Sequence, residues 1–396
     1  ILIGLVGSEM CIRDRNNSKL IEFAFHAHQQ GLILPDTYLL DLDTIAENGR
    51  RMLETARQND VKLFFMLKQL GRNPIVAKRL MELGFAGCVA VDYKEALVMI
   101  ENGIHLGNVG HLVQTPKAAL RKIIAARPDV MTVYSLEKIA EIDQAAAEIN
   151  RVQPLMIRIT DDDASLYSGQ IAGFSSAQLP EILAKVKSLR HVRIGGVTVF
   201  PALLYSEKTQ KIEATSNVSG LLRAVDYLKD KVSDELLINI PSATCCASIP
   251  TIRQLGGNNG EPGHGLTGTT PLHKASREPE NIGYLYVSEI SHNYKDKAYC
   301  FGGGHYRRGH MAHVLVGRDL AHARMFNIQA PDDDSIDYHF EIDRNCTVSD
   351  TALMCFRAQI FTTRSHVAIV EGLSRGCPRI SGLFDSQGRK IQVNWE

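Results

Sequence analysis

The 396 residues hold no Cys-x-x-Cys pair, no surplus of either charge and no apolar run of bilayer length. Each absence removes a class of protein. Eight cysteines stand scattered, with Cys245 and Cys246 adjacent, and form neither a disulfide framework nor a zinc spacing. They read as reduced thiols of a cytoplasmic protein. Basic and acidic residues balance at 44 each, so neither a nucleic-acid footprint nor an acidic disordered tail is present. No segment is long and apolar enough to span a membrane. There is no repeat of solenoid length and no low-complexity linker. What remains is an ordinary globular composition, 44% hydrophobic and 22% charged, sufficient for one large domain and a smaller one.

Residues 1–15 stand apart. Residues 1–7 are apolar but too short for a signal peptide, and lack a basic start and a cleavage site. The run Met10-Cys11-Ile12-Arg13-Asp14-Arg15 reads as a translated sequencing-adapter fragment. The segment is set aside from fold reasoning, with the expectation that native N-terminal sequence is missing.

From Thr37 onward, apolar runs of strand length alternate with amphipathic helical segments. Strands are expected at 37–43, 62–67, 86–91, 105–109, 130–134, 154–160, 193–200 and 236–240. Helices are expected at 44–59, 73–83, 93–102, 115–126, 136–150, 175–189 and 213–231, with a shorter one near 248–255. Asp43, Asn73-Pro74 and Thr115-Pro116 supply helix starts. Eight strands, each followed by a helix, predict a closed (β/α)8 barrel over residues 36–275. An open doubly wound sheet is the alternative, but no GxGxxG follows the first strand. After residue 275 the helical period fades, and a mostly β C-terminal domain is expected over 276–396, with strands at 283–288, 313–316, 338–342, 359–362 and 390–393. A helix at 18–30, within a segment 16–35, is expected to pack on that domain.

Lys68 is the most informative residue. It closes Lys62-Leu63-Phe64-Phe65-Met66-Leu67-Lys68, a run that otherwise reads as a buried strand. A lysine at the carboxyl end of a barrel strand stands where such barrels build active sites. Desolvation there frees an amine for Schiff-base chemistry, whereas a lysine that snorkels to solvent is the alternative. Arg72, four residues on, reads as a solvated helix-start residue. Pro241-Ser242-Ala243-Thr244-Cys245-Cys246-Ala247-Ser248 lies between the last barrel strand and a helix, where hydroxyls and backbone N–H groups suit a phosphate. Ser242 and Thr244 are its best hydroxyl donors.

Three segments together carry a resemblance. They are Tyr38-Leu39-Leu40-Asp41-Leu42-Asp43 with Lys68, Glu261-Pro262-Gly263-His264-Gly265-Leu266-Thr267-Gly268, and Cys300-Phe301-Gly302-Gly303-Gly304-His305-Tyr306-Arg307-Arg308. In that order, ahead of and within a β domain, they resemble the alanine-racemase-like pyridoxal-phosphate (PLP) enzymes of fold type III, and most of all the YhfX-like branch of amino-acid racemases. The resemblance implies that Lys68 forms the internal aldimine with PLP and returns a proton to one face of the substrate Cα. It implies main-chain contacts to the phosphate from Gly263 and His264. At Glu261 alanine racemase has an arginine facing the pyridine nitrogen. A glutamate would keep that nitrogen protonated and give fuller quinonoid stabilisation, which suits racemisation but also decarboxylation or aldol cleavage.

Racemisation needs a second acid/base on the opposite face of Cα. In alanine racemase a tyrosine of the partner subunit fills that role, and here Phe301 stands at its place. Tyr306 is the first substitute and His305 the second, with a purely structural turn as the alternative. Cys346 and Tyr167 are substrate-side candidates. His305, His310 and His313 have a suggestive spacing, but no His-x-Cys occurs and no metal is expected. Asp161-Asp162-Asp163 lacks the rest of an EF-hand loop. The implied activity is a PLP-dependent amino-acid racemase in a cytoplasmic homodimer with shared active sites, acting on an amino acid as its small-molecule substrate, without nucleic acid or membrane. A PLP decarboxylase or lyase of the same fold, and a non-catalytic PLP-binding regulator, are the alternatives.

Overall fold

A computed structural model describes residues 17–232, 235–275 and 278–392. The segment read as adapter-derived and the end of the strand expected at 390–393 lie outside these residues. A helix at Ser18–Gln29 opens the described chain, capped by the Asn17 side chain on the Leu20 N–H. The strands follow in order: β1 (Thr37–Asp41), β2 (Lys62–Met66), β3 (Gly87–Ala90), β4 (Leu106–Val109), β5 (Val130–Val133), β6 (Gln153–Arg158), β7 (Val192–Thr198), β8 (Leu203–Ser206), β9 (Lys211–Ala214), β10 (Leu237–Asn239) and β11 (Asn259–Gly260). Beyond them lie β12 (Tyr284–Tyr294), β13 (Lys297–Phe301), β14 (His313–Gly317), β15 (Arg324–Gln329), β16 (His339–Ile342), β17 (Thr351–Met354), β18 (His366–Glu371) and β19 (Arg379–Asp385).

The chain forms two compact units. One is built from Arg50–Leu67 and Ala77–Gly263, the other from the residues up to Gly49, Lys68–Val76 and the residues from His264 onward. The first is the barrel. Its eight parallel strands close in the order β10-β11-β2-β3-β4-β5-β6-β7. The second holds a nine-stranded sheet in the order β13-β16-β15-β14-β17-β12-β1-β18-β19. The Ser18–Gln29 helix packs its Leu20, Phe23, Ala24 and Ala27 face on this sheet, against Leu285, Leu353 and Ala368.

The expected helices recur within a few residues of their predicted bounds. The strand expected first in the barrel does not belong to it. Residues 37–41 run antiparallel to β12 and parallel to β18, with Thr37 opposite both Val287 and His366. The run Thr-Tyr-Leu-Leu-Asp is buried throughout, so it has the composition of any strand covered on both faces, and periodicity cannot say which sheet receives it. The barrel is closed instead by the two residues of β11, too short to register as a strand in sequence. Residues 359–362 form a 3-10 turn (Ile360–Thr362) rather than a strand, and the start of the helix expected at 213–231 is the hairpin strand β9.

The strand leading to Lys68 is wedged inside the barrel. Phe64 of β2 is fully buried, and a Cβ on Gly107 of β4 would lie 2.4 Å from its ring. Gly107→Ala should therefore overpack this layer and lower stability by about 1–3 kcal/mol. Urea midpoints measure this, and an unchanged midpoint would show that the ring yields freely.

Candidate active site

Polar side chains cluster at the carboxyl ends of the barrel strands. Asn108 lies in β4 and Thr132 in β5, Arg158, Thr198 and Asn239 end β6, β7 and β10, and Glu261 directly follows β11. All are buried, Glu261 with 3% of its surface exposed. Burying such groups is costly unless they satisfy one another. Glu261 Oε1 accepts from Asn108 Nδ2 at 3.1 Å and from Asn239 Nδ2 at 3.0 Å. Thr132 donates to Asn108 Oδ1 at 2.8 Å, and Asn239 also donates to Thr198 Oγ1 at 3.0 Å. The Glu261 N–H is accepted by Thr244 Oγ1 at 3.2 Å. His111, fully buried after β4, brings Nε2 to 3.4 Å from Glu261 Oε2. A solvated loop glutamate is thereby excluded.

The His111 ring packs edge-on to Phe200 at 5.2 Å, and Tyr167 lies 5.9 Å from the same ring. The Arg158 guanidinium stands over Phe200 and Tyr134, and donates to the Gln170 carbonyl at 2.9 Å. Its Nε and Nη1 are buried with no hydrogen-bond partner. Burial lowers the Arg158 pKa from its usual value, opposed by the Tyr134 phenol beside it. A buried guanidinium with two unused N–H positions suits an oxyanion from outside the chain.

The loop after β10 has the form of a second anion cradle. Ser242 and Ala243 both take positive φ, 83° and 47°, a cost of about 1–3 kcal/mol for each non-glycine residue. Ser242 Oγ is buried with no hydrogen-bond partner. The backbone N–H groups of a tight turn are one means of forming an anion-binding concavity.

The chain passes between the units at Leu67/Lys68 and again at Gly263/His264, so Lys68 and His264 fall in the β unit. There Arg357 Nε donates to His264 Nε2 at 3.0 Å. Burial, then the positive charges of Arg357, Lys68 and His273, hold the His264 pKa well below its usual value. His264 is neutral and carries its proton on Nδ1. The expected acid/base candidates are tied to this group through backbone. Arg357 N–H donates to the Gly309 carbonyl at 3.2 Å, and Gly309 N–H to the Tyr306 carbonyl at 2.6 Å. The His305 ring lies 6.1 Å from Phe356, and its Nδ1 is buried without a partner. Burial lowers the His305 pKa, while Asp337 and Asp333 oppose the shift.

Acidic groups hold the turn that carries His305. Asp337 Oδ2 accepts the N–H groups of Gly303 and His305, and Arg364 donates to its Oδ1. Tyr38 donates to the Gly304 carbonyl at 2.5 Å. Asp36 accepts from Tyr286 at 2.9 Å and from Ser365, and its carboxylate occupies the space a Cβ on Gly303 would need.

One further residue differs from expectation. Arg72 is not solvated: it is 2% exposed, donates to Gln387 Oε1 at 2.7 Å and stands over the Phe361 ring. Cys346 lies between β16 and β17, where its backbone pairs with the Asn293 side chain. Burial, with Asp350 and Asp343, pushes its thiol up to about 11. Among the described residues, no three His, Cys, Asp or Glu side chains group to hold a metal, and no helix is long and apolar enough to cross a membrane.

A family profile described as the alanine racemase N-terminal domain matches residues 40–271, and one for the YhfX-like C-terminal domain matches 285–380. The uncharacterized protein YhfX of Escherichia coli (strain K12) is 43% identical over 379 residues, covering 95% of this chain and 98% of that protein. The chain belongs to the YhfX-like family of alanine-racemase-fold proteins. That fold family is one of PLP enzymes. At the level of fold, this YhfX-like chain is similar to D-threonine aldolase from Filomicrobium marinum, with a TM-score of 0.65, 16% identity and coverage of 89% and 95% of the two chains. It is similar to alanine racemase of Clostridium difficile 630 in complex with cycloserine, at 0.62, 17%, 88% and 98%. D-threo-3-hydroxyaspartate dehydratase from Delftia sp. HT23 gives 0.65, 15%, 87% and 95%. Asn108, His111, Arg158, Asn239 and Arg357 were not singled out in sequence. The barrel residues among them were accessible to the rule that marked Lys68, since most stand where an apolar strand ends.

The Asp36 carboxyl has a consequence for pH. Burial raises its pKa to about 6, against the hydrogen bonds of Ser365 and Tyr286 and the charge of Arg364. A raised folded-state pKa favours the protonated form, so its stabilisation is present at acid pH and is lost as pH rises through about 6. Urea midpoints of the parent should fall between pH 5 and pH 7.5. Asp36→Asn, which keeps an acceptor for both hydroxyls, should flatten that slope and be the more stable protein at pH 7.5. Equal slopes would assign the pH dependence elsewhere.

Proposed function

We propose that this chain is a PLP-dependent amino-acid racemase that exchanges the proton on the substrate Cα by a two-base route. The observation that carries the reading is the Glu261 carboxylate, buried and gripped by two amides. The residues present fit the cofactor. Ser242 and its left-handed loop suit a phosphate, Arg158 an anionic oxygen, Glu261 a ring nitrogen and Lys68 an aldehyde. Bound PLP supplies a sink for the electron pair left when a bond to Cα breaks. Glu261 holds a proton on the pyridine nitrogen, because a carboxylate at short range favours the cation. Asn108 and Asn239 hold the Glu261 carboxylate in place through its Oε1 and cannot themselves take a proton. Lys68 anchors the cofactor and carries a proton at one face of Cα. Tyr306, or His305 held neutral by burial, serves the opposite face.

The reading includes a homodimer with shared sites and a cytoplasmic location. The seven cysteines among the described residues are all free thiols, which suits a reducing compartment. A PLP lyase or decarboxylase is the second reading. It is favoured by Glu261, which supports cleavage of any bond at Cα, and by Phe301, which cannot move a proton.

Borohydride treatment of the parent should leave a pyridoxyl group on the peptide that contains Lys68, and Lys68→Ala should show none. With a panel of single-enantiomer amino acids in heavy water, the parent should interconvert enantiomers with solvent deuterium at Cα. Glu261→Gln should lower that rate about a hundredfold or more while cofactor uptake persists. Release of carbon dioxide, an aldehyde or a keto acid without interconversion would replace the racemase by the second reading. Cofactor uptake without turnover of any substrate would leave a regulator.

A further inference from the structure

The turn 302–305 lies between two carboxyls that share one guanidinium. On one side Asp337 Oδ2 accepts the Gly303 and His305 N–H groups, while Arg364 donates to Asp337 Oδ1 at 2.6 Å. On the other side Asp36 is half-buried, and a Cβ on Gly303 would lie 2.0 Å from its Oδ2. Gly303 takes a φ of 122°, so glycine alone fits both the backbone and the space. The two oxygens of Asp36 are served unequally. The hydroxyls of Tyr286 and Ser365 both donate to Oδ1, and among the described residues none donates to Oδ2. An ionised carboxyl taken out of water needs donors at both oxygens to offset its lost hydration. The oxygen that touches the turn has none, which makes it the natural place for a proton. The charged and titratable groups that face Asp36 are Arg364, Asp337, Tyr286 and Tyr38. Burial holds both phenols well above their usual pKa, so they stay neutral. With Asp36 and Asp337 both ionised, one guanidinium faces two negative charges.

We infer that Asp36 is a proton-operated positioning residue for the turn that bears His305 and Tyr306: protonated, it holds the turn closed on Asp337, and ionised, it releases it. What the closed turn does rests on the proposed racemase reading, whereas the control of the turn by Asp36 does not. The closed form is defined by its backbone bonds. Gly302 N–H donates to the Tyr338 carbonyl at 2.8 Å, beside the two N–H groups held by Asp337. Its carbonyls accept from the Arg364 N–H at Gly303 and from the Tyr38 hydroxyl at Gly304. A charge that appears on Oδ2 is repelled by Asp337 and has no donor, and water supplies one when the turn lifts. Burial puts the Asp36 pKa at about 6 with the turn closed, against an ordinary 3.8. A pKa raised in the closed form favours closure fully below the ordinary value, and the preference is lost as pH rises through about 6. If the open turn restores the ordinary value, opening is about tenfold more frequent at pH 7.5 than at pH 5. The candidate proton carriers are thus held firmly in mild acid and less firmly at neutral pH.

Amide hydrogen exchange at Gly302, Gly303 and His305 in the full chain reads the opening without cofactor or turnover. Rates are corrected for the intrinsic pH dependence of exchange. In the parent, protection of these amides should fall about tenfold from pH 5 to pH 7.5. Asp36→Asn keeps an acceptor for both hydroxyls and cannot ionise, so its protection should stay level over the same range. Ser365→Ala removes a donor that favours the ionised carboxyl, so the fall should move to higher pH. Small additions of urea separate the turn from the sheet, because an opening of the turn alone exposes little surface and does not respond. Far-ultraviolet circular dichroism establishes that each variant is folded. The same pH profile in the parent and Asp36→Asn overturns the inference. Exchange of these amides only through urea-sensitive unfolding overturns it as well. A parent that takes up no PLP, or that interconverts no amino acid, sinks the racemase reading instead and leaves the exchange profiles to decide the role of Asp36.

Discussion

The bond on which the barrel's chemistry depends runs from two asparagine amides to one carboxylate oxygen. A carboxylate with 3% exposure requires donors, and Asn108 and Asn239 bring one each to Oε1. Neither amide is free to turn. The oxygen of Asn108 is held by the Thr132 hydroxyl, which forces its N–H side toward Glu261. Asn239 spends its second N–H on Thr198. Four strands thus dictate that the residue after β11 be an acceptor. An arginine there would meet N–H groups with N–H groups, and both amides would have to abandon their threonines. The glutamate is therefore part of a network with only one workable polarity, and such networks are costly when half satisfied.

The β unit solves a different problem with different means. Its candidate proton carriers lie on a turn with no strand to hold it. Asp337 gathers the N–H groups of Gly303 and His305, Tyr38 takes the Gly304 carbonyl, and Asp36 presses on Gly303. Backbone donors and acceptors that a strand would have satisfied are satisfied by side chains. The charge types are also segregated. Within the barrel the Glu261 carboxylate is caged by neutral amides, whereas within the β unit the Arg357 guanidinium donates to a neutral imidazole.

Most of the barrel was legible because a parallel strand covered on both faces is a continuous apolar run, and the helices between repeat a 3.6-residue period. Lys68 was legible because a charge at the end of such a run is anomalous, and Glu261 only through the resemblance carried by Glu261-Pro262-Gly263-His264. The same anomaly was present at Arg158, whose guanidinium ends Gln153-Pro154-Leu155-Met156-Ile157-Arg158, and at Asn239. Both could have been marked by the reasoning applied to Lys68. The misplacement of β1 has another origin. A five-residue buried strand carries no information about its neighbours, and its partners Val287 and His366 lie hundreds of residues away.

Arg357 shows where local reading ends. Its neighbours Phe356 and Ala358 make an unremarked apolar segment, and the one contact that gives the residue meaning reaches 93 residues back to His264. Neither side chain is anomalous where it stands. An arginine after a strand is ordinary, and a histidine in a glycine-bearing turn is ordinary too. The anomaly belongs to the pair, since a cation directed by a neutral imidazole exists only once the sheet has brought β17 and the turn after Gly263 together. Side chains that break a rule of their own element can be found from sequence. Those that act only through a distant partner must wait for the fold, and in this chain the Arg357–His264 pair is of the second kind.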